Sequence, residues 1–118
     1  MITILDSLSK RLAEETITEQ RMALDAAKAE ADYKSERAKK VLRARADGAK
    51  SAAEAETIAD ADDEIASMLM ARLTTRAVAD SQKEMLRTLR AQSENERTAR
   101  ADARAADSAH AQGYGGHA

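Results

Sequence analysis

Asp47-Gly48-Ala49-Lys50-Ser51-Ala52-Ala53-Glu54 is the stretch that decides the fold of this 118-residue chain. Gly48 is the first glycine and stands where a helix C-cap needs a residue free to take a left-handed backbone. Lys39, Lys40, Arg43 and Arg45 precede it, and cations there complement the negative end of a helix dipole. Ser51 followed by Glu54 is a capping box, the signature of a helix start. One helix therefore ends and another begins within a turn at 47–50. The first is expected over about 6–47, with Asp6 or Ser7 as its N-cap. The second is expected to run unbroken over about 52–92.

Composition agrees with long helices. The chain has no Pro, Cys, Trp or Phe and two Tyr, and much of its 43% hydrophobic share is Ala. Ala and the straight-chain residues are the best helix formers. Without Pro nothing forces a kink. So few large apolar side chains argue against a compact single-chain core of ordinary size. Absent Cys excludes a disulfide scaffold and thiolate metal sites, and fits a reducing compartment. No apolar run approaches the roughly 20 residues of a membrane span. Met1 to Leu12 carries Ile2, Ile4, Leu5, Leu8 and Leu12, but Asp6 interrupts it and a basic head is missing, unlike a signal peptide. A cytoplasmic protein is expected.

The two helices are expected to fold back on each other. With the turn centred between Gly48 and Ala49, residues whose numbers sum to about 97 pair. Leu8 then meets Leu89, Leu12 meets Met85, Leu24 meets Leu73, Ala31 meets Ala66 and Ala38 meets Ala59. Leu5, Leu8 and Leu12 start the seam of the first helix, and Ile17, Leu24, Ala31 and Ala38 continue it at intervals of seven. Charge points the same way. Residues 34–45 carry six basic side chains and one acidic, whereas residues 48–66 carry six acidic and one basic. Exposed pairs contribute only about 0.2–1 kcal/mol each, yet they select antiparallel pairing. The fold class is all-α: a long antiparallel, coiled-coil-like helical hairpin over 1–92. Residues 93–118 are expected to be a polar helical overhang with a flexible Gly-containing tail. Met22, Met68, Met70 and Val78 fall off the expected stripe and predict a second apolar face, hence assembly into a helical bundle.

Catalysis finds no support. No Gly-rich phosphate loop, nucleophile elbow or HExxH pattern is present. His110, Tyr114 and His117 lie together near the C-terminus, but tail histidines are usually solvated, and no metal is expected. Asp60, Asp62, Asp63 and Glu64 lack the Gly and the spacing of an EF-hand loop and read as a solvated helix face. No cofactor or small-molecule ligand is implied. Membrane-surface binding through the N-terminal leucines is not favoured, because helix pairing accounts for them. Nucleic acid is the stronger competitor. Arg97, Arg100 and Arg104, at i, i+3 and i+7, place three guanidinium groups on one helix face, suited to phosphates or carboxylates. No aromatic residue is interleaved for base stacking, however. Net charge is −2, so no bulk attraction to a polyanion operates.

Tyr33-Lys34-Ser35-Glu36-Arg37-Ala38-Lys39, Asp47-Gly48, Ala53-Glu54-Ala55-Glu56 and Leu86-Arg87-Thr88-Leu89-Arg90-Ala91-Gln92 resemble a type of small protein encoded by tailed bacteriophages, many with actinobacterial hosts. These are short helical hairpins rich in Ala, Arg and Glu, and the resemblance covers about residues 23–97. The type often has arginine after the last leucines, as Arg97 does here, and more leucine beyond that point than this chain has. Its frequent company with recombination and single-strand-binding genes implies an accessory role in phage DNA metabolism. The expectation is thus a non-enzymatic adaptor or accessory protein that acts by protein–protein association, as a homo-oligomer or on another protein. The alternatives are a nucleic-acid-binding accessory of recombination or replication, and a virion structural or spacer component.

Overall fold

The computed structural model describes residues 3–115, with side chains as far as Ala111. Among these residues there are three helices and no strand: α1 (Ile4–Ala46), α2 (Ala52–Asp60) and α3 (Asp63–Gly115). The chain is an all-α helical hairpin. Its start differs from expectation. Helix α1 begins at Ile4, because the Thr3 amide donates to Asp6 Oδ2 (3.3 Å) while the Asp6 amide donates to Thr3 Oγ1 (3.1 Å). This reciprocal box makes Thr3 the cap and Asp6 its partner. The hydroxyl of Thr3 also holds the Asp6 carboxyl below the usual aspartate range.

The turn is built from local rules. The Ala49 amide donates to the Ala44 carbonyl (2.9 Å) and the Gly48 amide to the Arg45 carbonyl (3.3 Å). These two bonds form a Schellman motif, which requires a left-handed residue at its pivot. Gly48 supplies it with φ +114°. Ser51, extended at φ −143°, then caps α2: its Oγ accepts from the Glu54 amide (3.1 Å), and Glu54 Oε2 accepts from the Lys50 amide (3.0 Å). Ser51→Ala is expected to cost about 0.5–2 kcal/mol through the lost cap. Gly48→Ala is expected to cost about 1–2 kcal/mol, because a Cβ disfavours the left-handed backbone. Denaturation midpoints of the two variants, followed by circular dichroism, check both values.

The return arm is not one helix. It breaks at Ala61 and Asp62, and α3 runs past Gln92 to Gly115. Asp62 starts α3, its Oδ1 accepting from the amides of Glu64 (2.9 Å) and Ile65 (3.2 Å). The break changes the register. Arg37 pairs with Asp60 at the expected sum of 97, but Lys40, nearer the turn, pairs with Asp62 and Glu64. The chain thus spends residues 60–64 without advancing along α1. Beyond the break the partners stay shifted along α1, as Arg72 records by pairing with Glu30 and lying over the ring of Tyr33, with numbers that sum to 102 and 105.

Contacts divide the chain into two compact units, residues 18–83 and residues 1–17 with 84–118. In the first, the buried and half-buried positions include Glu19, Met22, Ala26, Ala29 and Tyr33 on α1, and Ile65, Met68, Arg72, Thr75, Ala79 and Gln82 on α3. These alternate in steps of three and four, the spacing of a coiled-coil seam. The expected stripe through Ile17, Leu24, Ala31 and Ala38 is exposed, Leu24 by 71%. It lies on the side of α1 turned away from the seam. The 3–4 spacing set by Leu5, Leu8 and Leu12 leads to residues 15, 19, 22 and 26, not to 17 and 24. Met22 and Met68, expected off the stripe, sit on the seam, whereas Met70 and Val78 are exposed. In the second unit Leu86, Leu89 and Ser93 are buried, and Leu5, Leu8, Leu12, Met85, Glu96 and Arg100 are half-buried.

Candidate interaction surface

The sequence-predicted hairpin interface is brought together only in part. Leu8, Leu12, Met85 and Leu89 face the seam of their unit, but Leu24 and Leu73 do not. Leu73 is 54% exposed on α3, because the shifted register gives the seam position to Arg72. The Arg72 guanidinium lies 5.3 Å from the Tyr33 ring centroid and donates to Glu30 Oε1 at 3.3 Å. A cation over an aromatic face, anchored by a carboxylate, closes the helix gap with the stem of Arg72 where two small residues would leave it open.

This bridge separates two depressions on one flank of residues 18–83. The larger, about 770 Å³, is lined by Tyr33, Lys34 and Ala38 from α1 and by Ala66, Leu69 and Met70 from α3. The smaller, about 270 Å³, is lined by Ala26, Glu30, Leu73 and Arg76. Arg72 borders both, so they flank it as one interrupted strip with apolar walls and charged rims. The exposed side chains of Met70 and Leu73 stand along it. No signal in the sequence marks this strip as such. The register shift that exposes Leu73 comes from the break at Asp62, and an Asp within an acidic run reads equally well as a solvated helical residue.

Near the turn, basic and acidic segments do lie side by side. Arg37 Nε donates to Asp60 Oδ1 at 2.8 Å, and Lys40 lies 3.4 Å from Asp62. The Arg37 guanidinium holds the Asp60 carboxyl below the usual aspartate range. The amides of α3, with Lys40, do the same for Asp62. Both folded-state values lie below the unfolded value of about 3.9, so their stabilisation is present above that value and disappears as pH falls through the lowered ones. Asp62→Asn, which keeps an acceptor for the cap but removes the charge, is expected to flatten the stability-against-pH curve below about pH 4. Thermal unfolding across pH 2–6 checks it.

The predicted arginine face is engaged within its own helix. Arg97 lies 3.5 Å from Glu94, Arg100 lies 3.5 Å from Glu96, and Arg104 Nε donates to the Arg100 carbonyl at 3.4 Å. Arg87 likewise pairs with Glu84, and Arg76 with Asp80. Among the described residues no cluster of three or more His, Cys, Asp or Glu is placed to hold a metal ion. His117 lies outside the described residues. No helix among them is long and apolar enough to cross a membrane. Comparison with protein-family models, curated proteins and solved structures finds no match to this chain.

Proposed function

We propose that this chain is a non-enzymatic helical adaptor that acts by protein–protein association. The observation that carries this reading is the imbalance between what the hairpin buries and what it leaves out. Ile65 and Leu86 are its largest fully buried side chains, whereas Ile17, Leu24, Leu42, Met70 and Leu73 are each more than half exposed. A two-helix layer has one buried seam, and its other faces gain by packing on a further layer of helices. Large apolar side chains standing outside a thin, Ala-rich seam are therefore the features of a chain that pairs with other helices. The nucleic-acid reading draws less support, because two of the three arginines it needs, Arg97 and Arg100, pair with glutamates one turn away. Light scattering over a wide concentration range tests the proposal. The expected mass is a multiple of 12.8 kDa. The thermal midpoint should also rise with concentration, since association stabilises only the folded chain. A monomer whose midpoint does not move with concentration overturns the reading.

A further inference from the structure

Within residues 18–83 helix α1 presents one uninterrupted seam to the return arm, its buried and half-buried positions recurring in steps of three and four from Glu19 to Ala44. The return arm does not keep one phase. On α2 the buried positions are Ala55 and Ala59. A helix continuing from them without a break, at roughly 100° per residue, brings Ala66, Leu69 and Leu73 to α1. The seam of α3 instead runs through Ile65, Met68 and Arg72, each one residue earlier. The arm therefore changes phase by about 100° at Ala61 and Asp62.

Little backbone geometry holds the change there. Ala61 keeps right-handed helical angles (φ −80°, ψ −11°), its amide donates to the Thr57 carbonyl, and the Ala66 amide donates to the Asp62 carbonyl. The Asp62 side chain interrupts the ladder by taking the amides of Glu64 and Ile65, with Lys40 3.4 Å from its carboxylate. Further along, Thr74 and Thr75 suit a second phase change. Both are β-branched, and the Thr75 hydroxyl donates to the carbonyls of Ala71 (2.9 Å) and Arg72 (3.1 Å), a contact that bends helices. We propose that segment 63–73 is a two-position rotor: Asp62 holds the phase change at its start, and loss of that cap moves the change to Thr74 and Thr75, turning the segment by about 100°. In the observed position Ile65, Met68 and Arg72 face α1, and Leu73 is 54% exposed. In the other, Ala66, Leu69 and Leu73 face α1, and Met68 and Arg72 turn outward. Leu69, already half-buried, stands between the two. Two large apolar residues occupy the seam either way, so burial alone does not choose. The cap chooses, together with the hold of Arg72 on Tyr33 and Glu30. Past Thr75 the observed phase must return, because the continued phase of α2 brings Arg76, Asp80 and Lys83 to the seam in place of Thr75, Ala79 and Gln82. The rotor thus decides which apolar side chains the hairpin offers to other molecules.

The chain has no cysteine, so Ala66→Cys and Met68→Cys each place a single thiol in the full-length protein, the first at an exposed site and the second at a half-buried one. Alkylation by iodoacetamide reads their exposure, and circular dichroism verifies helix content. Adding Asp62→Ala should slow alkylation at position 66 about five-fold or more and speed it at position 68 about three-fold or more, since a thiolate reacts where reagent reaches it. Asp62→Ser, a cap without charge, should leave both rates within about two-fold of the native background. Any other pattern overturns the proposal. Two rising rates mean local unravelling, two unchanged rates mean that the break does not depend on Asp62, and an Asp62→Ser chain that behaves like Asp62→Ala means that the cap is not what holds it. If Asp62→Ala loses its helix content, Asp62→Glu decides. It keeps the charge beside Lys40 but is not a preferred cap, and it must move the two rates in opposite directions or the proposal fails.

Discussion

Leu86→Ala should destabilise the chain by about 2–5 kcal/mol, the cost of removing buried methyl and methylene groups and leaving a cavity. Leu86 is 0% exposed, one of two large side chains fully enclosed by the fold. One turn away on α3 stand Gln82, buried but polar, and Leu89, itself buried in the seam. Single-domain stabilities of about 5–15 kcal/mol are usual, and a seam this thin belongs at the lower end. The variant should therefore be largely unfolded at temperatures where the native chain is helical, read by circular dichroism against temperature and urea. Leu24→Ala is the control. At 71% exposure it should change stability by no more than about 0.5 kcal/mol. Equal losses for the two variants would mean that the seam runs through residues 17, 24, 31 and 38 after all.

Truncation is the second large effect. A chain ending at Gln92 should lose about 3 kcal/mol or more, whereas one ending at Asp107 should unfold within a few degrees of the full length. The reason lies in what residues 93–100 cover. Ser93 is 4% exposed, and Glu96 and Arg100 are half-buried, in steps of three and four that continue the seam from Leu86 and Leu89. On the other side Leu5, Leu8 and Leu12 are half-buried in the same unit, and Arg100 favours the charged form of Asp6. Uncovering three leucines that each keep roughly half of a full burial value of about 1.5–3 kcal/mol gives the expected size. After Arg100 every described side chain is exposed. The overhang thus starts near Ala101, not at Ser93, and a midpoint unchanged by ending the chain at Gln92 would refute this placement.

The end of α1 and the start of α2 were legible because they depend on neighbours in sequence. Gly48 is the residue that tolerates a left-handed backbone, and Ser51 with Glu54 closes a box across three peptide units, whatever lies elsewhere in the chain. Helical class was legible for the same reason, since Ala, Arg, Glu and Lys favour one backbone state residue by residue. The side-by-side placement of the basic 34–45 and acidic 48–66 segments needed only the turn between them. The seam beyond Leu12 was less legible. Ile17 and Leu24 are large and apolar, whereas Glu15 and Glu19 look like surface residues, so a reading by hydropathy selects the wrong side of the helix. Spacing selects the right one, because steps of three and four keep residues on a single face even where they are polar.

Register was decided by tertiary structure alone. Asp62 accepts two amide hydrogens and restarts the return arm, and Arg37 and Lys40 hold the carboxylates on either side of the break. That choice among helix, cap and ion pair is a competition between long-range partners, and local propensity does not rank them. Its outcome moves the partners of Arg72 along α1, to Glu30 and Tyr33, within residues 18–83. It places Arg72 rather than Leu73 in the seam of that unit. The sequence by itself determined that the chain is helical, where the first helix ends and where the next begins. Which faces they bury, and so which side chains remain for other molecules, was set only once the arms met.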